Sequence, residues 1–488
     1  MRKAMDRQQR LDCQPVANVK LNLACRDEII PILAALQYIY SQSDLRDDIL
    51  SAVAADVNAD SSSKRGRRGL DYWPILVLAG VRLGCNLDYD KLQDLAEQHR
   101  ALRQIMGIGD WDDQTRFDWR RIQDNVTLIR PETLERINHL IVGEGHRLVP
   151  QAVEKVRADS FVMETNIHYP TESSLIRDGL RKILQAGAEI ADLLEVSGWR
   201  QHKHLYQNVR QLAREIDRIA ARKGQGYKAR LKPLYAELLD QAAMILDRAQ
   251  ELREQVKGSL DLEVVGWDTQ MKDFMERTRQ VCGTAIRRVL DDKKVTNGEK
   301  LFSVFETHTQ LYRRGKAGEP VQFGRQVLVV EDASGFIVHA CLMPRDAGDK
   351  DVVVEEMRQL QKRLGGRIKQ ASFDRGFHSP QNQQALAEII AHLCLPKPGA
   401  KQAAQQEQEA TVKFHQARQR HSGIESAINA LQAGNGMERC RDRSEPGFSR
   451  YIQLGVLGRN LQVLGKILLA EEDAGCQAAQ SRRQKLAA

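Results

Sequence analysis

Several features that would narrow the chemistry at once are missing from this sequence. Eight cysteines stand at positions 13, 25, 85, 282, 341, 394, 440 and 476, yet no two form a CxxC pair and none joins histidines at zinc-finger spacing. That argues against a disulfide scaffold or a zinc-finger reader, and reduced cysteines in a cytoplasmic protein are the simplest expectation. No apolar stretch approaches the roughly 18 residues a membrane span needs. The opening MRKAMDRQQRLDCQ leads into no apolar signal core, so neither secretion nor membrane insertion is expected. Aromatic residues are few, at 5%, which suits helix-rich packing better than a sandwich or barrel.

What is present is a chain of 488 residues, long enough for two to four structural units. Its 42% hydrophobic and 28% charged content are those of a globular protein. Lys and Arg outnumber Asp and Glu by 73 to 65, and the resulting +8 charge fits a polyanionic partner without requiring one.

From about Asp27 to Leu148 apolar residues recur at helical spacing, as in IIPILAALQYIY and YWPILVLAGVRLG. The segment ADSSSKRGRRGLDY (59–72) interrupts them with Ser, Gly and four basic side chains, either a loop lying against phosphates or a solvated linker. DYDKLQDLAEQHRALRQIMGIGDWDDQTRFDWRRIQDNV then reads as a helix, a glycine turn and a second helix opening near Asp112 and Asp113, the outline of a helix-turn-helix. Arg116, Arg120 and Arg121 could reach DNA from that second helix, while Trp111 and Trp119 are expected as core anchors.

KVRADSFVMETNI has the texture of a strand, with Asp159 inside it. From Leu175 to about Leu290 long, charged helical patterns return, an all-helical insertion with no internal repeat. FGRQVLVVED and GFIVHACLMP, separated by AS, form an expected hairpin. A helix at DVVVEEMRQLQKRLGG, a strand at IKQASFD, a helix at QNQQALAEIIA and a strand at HLCLPKP follow, an α/β order. The polar stretch AKQAAQQEQEA connects these to a helical section holding HSGIESAINALQ and YIQLGVLGRNLQVLGKILL.

Three acids stand out. Asp159 interrupts a strand whose neighbours Phe161, Val162 and Met163 want burial, so a cationic partner is expected there. Asp374 ends a short strand before the sharp turn of Arg375 and Gly376, and strand ends are where ligands gather in open α/β sheets. Glu425 shares a polar strip with Ser422 and Asn429 beside the apolar stripe of Ile424, Ile428 and Leu431.

The surrounding motifs are ADSFVMETNIHYPTESSLIRDG, SFDRGFHSPQN, and RQRHSGIESAINALQAGNGMERC followed by FSRYIQLGVLGRNLQVLG. Together they resemble the DDE transposases of bacterial insertion sequences, most closely the group called ISNCY. The resemblance implies an α/β fold with a ribonuclease-H-like core, a mixed sheet flanked by helices. A helical N-terminal DNA-binding region (1–150) and an all-helical insertion (176–298) would accompany it. The core would occupy 151–175 and 299–470, with a polar tail at 471–488.

By that resemblance the first aspartate lies on the first core strand, the second ends a later strand in a D-R-G turn, and the glutamate sits on a helix behind it. Asp159, Asp374 and Glu425 would then be catalytic residues and metal ligands. Two Mg²⁺ ions per site, or Mn²⁺ in their place, would be expected, with Asp159 bridging them. Arg313, Arg314, Lys316 and Arg325 would hold DNA backbone from before the second core strand, with Arg375, Arg418 and His421 near the acids. Thr171 with Glu172 after Pro170 reads as a helix N-cap, although Asn166 and His168 could instead approach the DNA end.

Double-stranded DNA, as terminal inverted repeats and target, is the implied partner, and joining two ends implies a homodimer. The sequence departs from one large branch of the family: no tyrosine precedes Glu425 at the expected place, and Gln432 stands where that branch has lysine. The alternatives are a decayed, purely DNA-binding derivative and a nuclease with no joining step.

Overall fold

The computed structural model describes residues 2–3, 12–25, 27–59, 69–313, 321–400 and 402–487, with the side chains of 404 and 473–487 outside the description. Chain contacts divide it into two units, Met1–Glu164 with Arg325–Ala488, and Thr165–Gly324.

The first unit opens with helices α1 (Ile29–Ser41), α2 (Ser43–Asn58), α3 (Tyr72–Gly84), α4 (Tyr89–Gln98), α5 (Arg100–Ile105), α6 (Trp119–Val126) and α7 (Pro131–Leu148). Local chemistry sets their ends. Asp88 caps α4 by accepting from the Lys91 amide, Asp118 caps α6 through the Arg120 and Arg121 amides, and Pro131 opens α7 where no amide donor is needed. The second helix of the expected helix-turn-helix therefore begins at Trp119, not near Asp112. Asp112 instead holds a loop, accepting from the Gln114 and Thr115 amides and the Thr115 hydroxyl. The first helix is also broken at His99, whose Nδ1 accepts from the Leu102 amide and caps α5.

Strand β1 (Lys155–Thr165) follows, then in the second unit α8 (Glu172–Leu193), α9 (His202–Arg222), α10 (Tyr227–Gln255) and α11 (Leu262–Ala285), the last running on into a π-turn at Ile286–Leu290. This is the helical insertion read from the periodicity. Its own core is built from Leu180, Ile183, Leu238, Ile245, Met271 and their neighbours. Thr171 forms the expected cap on α8, in a reciprocal capping box with Ser174. Strand β2 (Gln310–Arg313) pairs antiparallel with the first residues of β3 (Val321–Asp332).

The chain continues through β4 (Ile337–Leu342), α12 (Asp349–Arg363), β5 (Gln370–Phe373), α13 (Pro380–Ile389), β6 (His392–Cys394), α14 (Ala403–Glu409), α15 (Val412–His421), α16 (Ile424–Asn429), β7 (Arg439–Cys440) and α17 (Glu445–Ala487). The expected hairpin is present: β3 and β4 are antiparallel, and the Asp332 carboxylate holds the turn by accepting from the Ser334 and Phe336 amides. β5 lies parallel to both β1 and β6, giving a mixed sheet in the order β4-β3-β1-β5-β6, with β7 added to β1. Central strands buried on both faces read as continuous apolar runs, as Val327–Val330 does.

The boundary expected at 150 does not divide the first unit. Residues from α1 to α7, the sheet and α17 share one hydrophobic core. The backbones of α3 and α17 touch: a Cβ on Gly458 would stand 2.4 Å from the Gly84 nitrogen, so only glycine permits the approach. Buried Arg82 on α3 pairs with Asp442 at 2.7 Å, and Gln462 donates to the Gly84 carbonyl. Residues 471–487, expected as a polar tail, continue α17. The stretch around 402–410, expected as low-complexity linker, is largely helical as α14.

Candidate active site

The two aspartates are brought together by strand register. β1 and β5 pair from Lys155↔Gln370 to Ala158↔Phe373, so the next step places Asp159 beside Asp374, whose backbone is still extended. Neighbouring strands lie about 4.8 Å apart and parallel partners project to one face, so both carboxylates leave the same face of the sheet. Asp374 is exposed and Asp159 half-buried. The expected burial of Asp159 is thus only partial, and its Oδ1 accepts from the Ser160 amide at 2.7 Å.

The same face carries the end of α15, as two contacts show. Arg157 and Ser372 are paired across β1 and β5, each two residues before its aspartate and hence on the aspartate face. Arg157 Nη1 donates to the Arg420 carbonyl at 2.8 Å, and Ser372 Oγ lies 3.3 Å from His421 Nδ1. Both partners end α15. The chain then turns through Ser422 and Gly423 into α16, where Glu425 sits in the first turn, exposed, with Ile424 and Ile428 buried beneath. The polar strip of Ser422, Glu425 and Asn429 is exposed as the spacing predicts.

His421 lies within electrostatic reach of Asp374 and Glu425. Burial lowers its pKa below the usual histidine value, with Asp374 and Glu425 pulling upward and Arg157 downward. A lowered pKa weakens an imidazole as a phosphate clamp, and the contact of His421 with Ser372 fixes the end of α15 against β5. Arg157, which spacing had not singled out, is the basic residue that reaches the core of the site: it also pairs with buried Glu331 at 2.5 Å. Its position two residues before Asp159 on a strand was the signal available.

The oxygens of Asp159, Asp374 and Glu425 do not form a single cage. Among the described residues the one group of three metal-binding side chains whose ligand atoms all lie within 4.8 Å of one another is His339, Cys341 and Glu356. Two ions about 3.5–4 Å apart, each with carboxylate bonds near 2.1 Å, allow ligands on opposite ions to stand well beyond that spacing. The three acids do not form a ready-made one-ion cage.

Of the expected DNA contacts, Arg116, Arg120, Arg375 and Arg418 are exposed in the first unit, and Arg313 is exposed at the end of β2 in the second. Arg120 lies over the Trp119 ring, 5.1 Å from its centroid. Trp119 packs partly against the core, but Trp111 is 75% exposed and is no core anchor. Arg325 is a correction. It is fully buried, donating from Nη1 to Glu445 at 2.6 Å and from Nη2 to the Met343 carbonyl at 2.7 Å, so its guanidinium faces protein. Arg314, Lys316 and the basic run at 60–68 lie outside the described residues. Asn166 is exposed, and His168 stands 3.6 Å from Asp178.

An open cleft of about 460 Å³ is lined by Lys155, Arg157 and Arg420 together with Glu154 and Asp332, so its cationic side chains are largely offset by acids. No protein-family model, curated protein or solved structure matches the chain.

Proposed function

We propose that the protein is a metal-dependent DNA transposase of the DDE kind, with Asp159, Asp374 and Glu425 as its catalytic carboxylates. The observation that carries this reading is the register that sets Asp159 beside Asp374 on the face that Arg157 and His421 tie to the glutamate-bearing segment. The arrangement is the one the family resemblance implies: one acid on the first strand of the sheet, a second ending its parallel neighbour, and a glutamate on a helix over them. It supports assigning the mixed sheet to the ribonuclease-H-like class.

Bound Mg²⁺ or Mn²⁺ would neutralise charge at the scissile phosphate and lower the pKa of an attacking water or 3′ hydroxyl. The chain's own contribution is placement. Asp159, Asp374 and Glu425 would hold the ions, and the exposure of Asp374 and Glu425 leaves room for a polymeric substrate. Arg157 and His421 hold α15 and α16 so that Glu425 faces the aspartates, and Arg375, Arg418 and Arg420 offer charge to the DNA backbone. Cleavage at an element end followed by attack of the freed 3′ hydroxyl on target DNA is the reaction, carried out by a homodimer that holds two ends.

The test uses purified protein, Mn²⁺ and DNA from either side of the gene. The proposal predicts cleavage and joined products from the wild type and neither from Asp159→Asn. Equal inertness of the two, with DNA binding intact, would return the protein to a binding role.

A further inference from the structure

A second cluster of ligating side chains lies away from the carboxylates. His339 and Cys341, two residues apart on β4, project from one face of that strand, and Glu356 on α12 meets them. Their ligand atoms all lie within 4.8 Å of one another, and His339 Nε2 is 2.8 Å from Glu356 Oε2. On α7, Glu135 and His139 are one turn apart and within 3.6 Å of each other; His139 is in electrostatic reach of His339, and Glu135 of Cys341.

We infer that His339, Cys341 and Glu356 form a binding site for one borderline transition-metal ion of the Zn²⁺ class, distinct from the Asp159, Asp374 and Glu425 centre. The donor set decides the class. An imidazole nitrogen and a thiolate select against Mg²⁺ and Ca²⁺, which want oxygen, and one carboxylate completes a set that tetrahedral Zn²⁺ accepts. Zn²⁺ bonds of about 2.0–2.3 Å put tetrahedral ligand atoms roughly 3.3–3.7 Å apart, a spacing that lies between the 2.8 Å of the His339–Glu356 pair and the 4.8 Å within which all three fall.

Charge balance favours the ion. Glu135 and Glu356 bring two negative charges and Arg363, bonded to the Val338 carbonyl and within reach of His139 and Glu135, brings one positive, while burial raises the Cys341 pKa so that its thiol ionises only as an ion binds. With that thiolate formed, a divalent cation brings the sum to zero. On binding, the Cys341 sulfur–hydrogen bond breaks, the proton leaves to solvent and a metal–sulfur bond forms, with no change of oxidation state. His139 on α7 lies outside this group of three but within electrostatic reach of His339. Such an ion would staple the edge strand β4 to α12, a structural role.

The test is a Co²⁺ and Zn²⁺ titration of the full-length protein after chelation. Co²⁺ should bind with a thiolate-to-metal charge-transfer band at one equivalent, with one proton released per ion. Cys341→Ser should lose the band, and Glu356→Gln should weaken Zn²⁺ affinity at least about tenfold. Asp159→Asn should retain both, which separates this site from the proposed catalytic one. Wild-type protein that shows no thiolate band and keeps no Zn²⁺ against millimolar Mg²⁺ would overturn the assignment whatever the variants do. So would a band that persists in Cys341→Ser.

Discussion

At the scale of single residues, the sharpest contrast is between two arginines that the sequence treats alike. Arg325 is folded into the protein and Arg375 is exposed beside Asp374. Arg325→Ala should lower stability by about 1–3 kcal/mol in a urea melt, because two charge-assisted hydrogen bonds are lost while Glu445 keeps partial access to water. Arg375→Ala should leave the melt unchanged and weaken DNA binding in a salt-dependent way. A melt in which the two variants behaved alike would show that the burial of Arg325 is misassigned.

Tyr89 gives a pH signature. Its hydroxyl is buried with no hydrogen-bond partner, and burial pushes its pKa up to about 12. A tyrosine whose folded pKa lies above the unfolded value of about 10 contributes stability that is fully present below pH 10 and is lost as pH rises towards 12. Tyr89→Phe should remove that alkaline loss, on the order of 2–3 kcal/mol, while costing little at pH 7 because no bond is broken. Parallel alkaline melting curves for the two proteins would rule this out.

At the scale of elements, the turn between α15 and α16 sets the position of Glu425. A Cβ on Gly423 would stand 2.1 Å from Arg157 Nη1, and that guanidinium is already held by Glu331 and the Arg420 carbonyl. Gly423→Ala should therefore push Arg157 or the turn aside and lower cleavage at least about tenfold with a smaller change in melting. An unaltered cleavage rate would mean that the Arg157 contact does not position the glutamate. Much at this scale was legible in the sequence. The two periodicities located the insertion, the β3–β4 hairpin and the strands bearing both aspartates, and the Thr171 cap was readable from its spacing. Asp118 was not picked as the cap of α6 because Asp112 and Asp113 offered equally good local chemistry. The choice was made by Arg103, which donates to the Asp112 carbonyl and holds the loop out of the helix. Arg157 and Ser372 were missed because their importance lies in register, which one strand alone does not reveal.

At the scale of the molecule, no helix among the described residues is long and apolar enough to cross a membrane. The N-terminal helices are part of the core that supports the candidate site, a fact hidden from the sequence because α17 meets them across more than 300 positions. A chain beginning at residue 151 should fail to unfold cooperatively, since it loses the partners of α17 and leaves Asp442 buried without Arg82; calorimetry showing a normal two-state transition would contradict this. The central claim is that three carboxylates on one face of the sheet cut and join DNA. Its most direct test is Mn²⁺-dependent reaction of wild type, Asp159→Asn, Asp374→Asn and Glu425→Gln on the flanking DNA, with DNA binding measured in parallel. The account predicts cleaved and joined products from the wild type alone, each variant losing at least about 10²-fold in rate while still binding, because metal-assisted charge stabilisation is worth several kcal/mol. Wild-type cleavage that survived all three substitutions would contradict it.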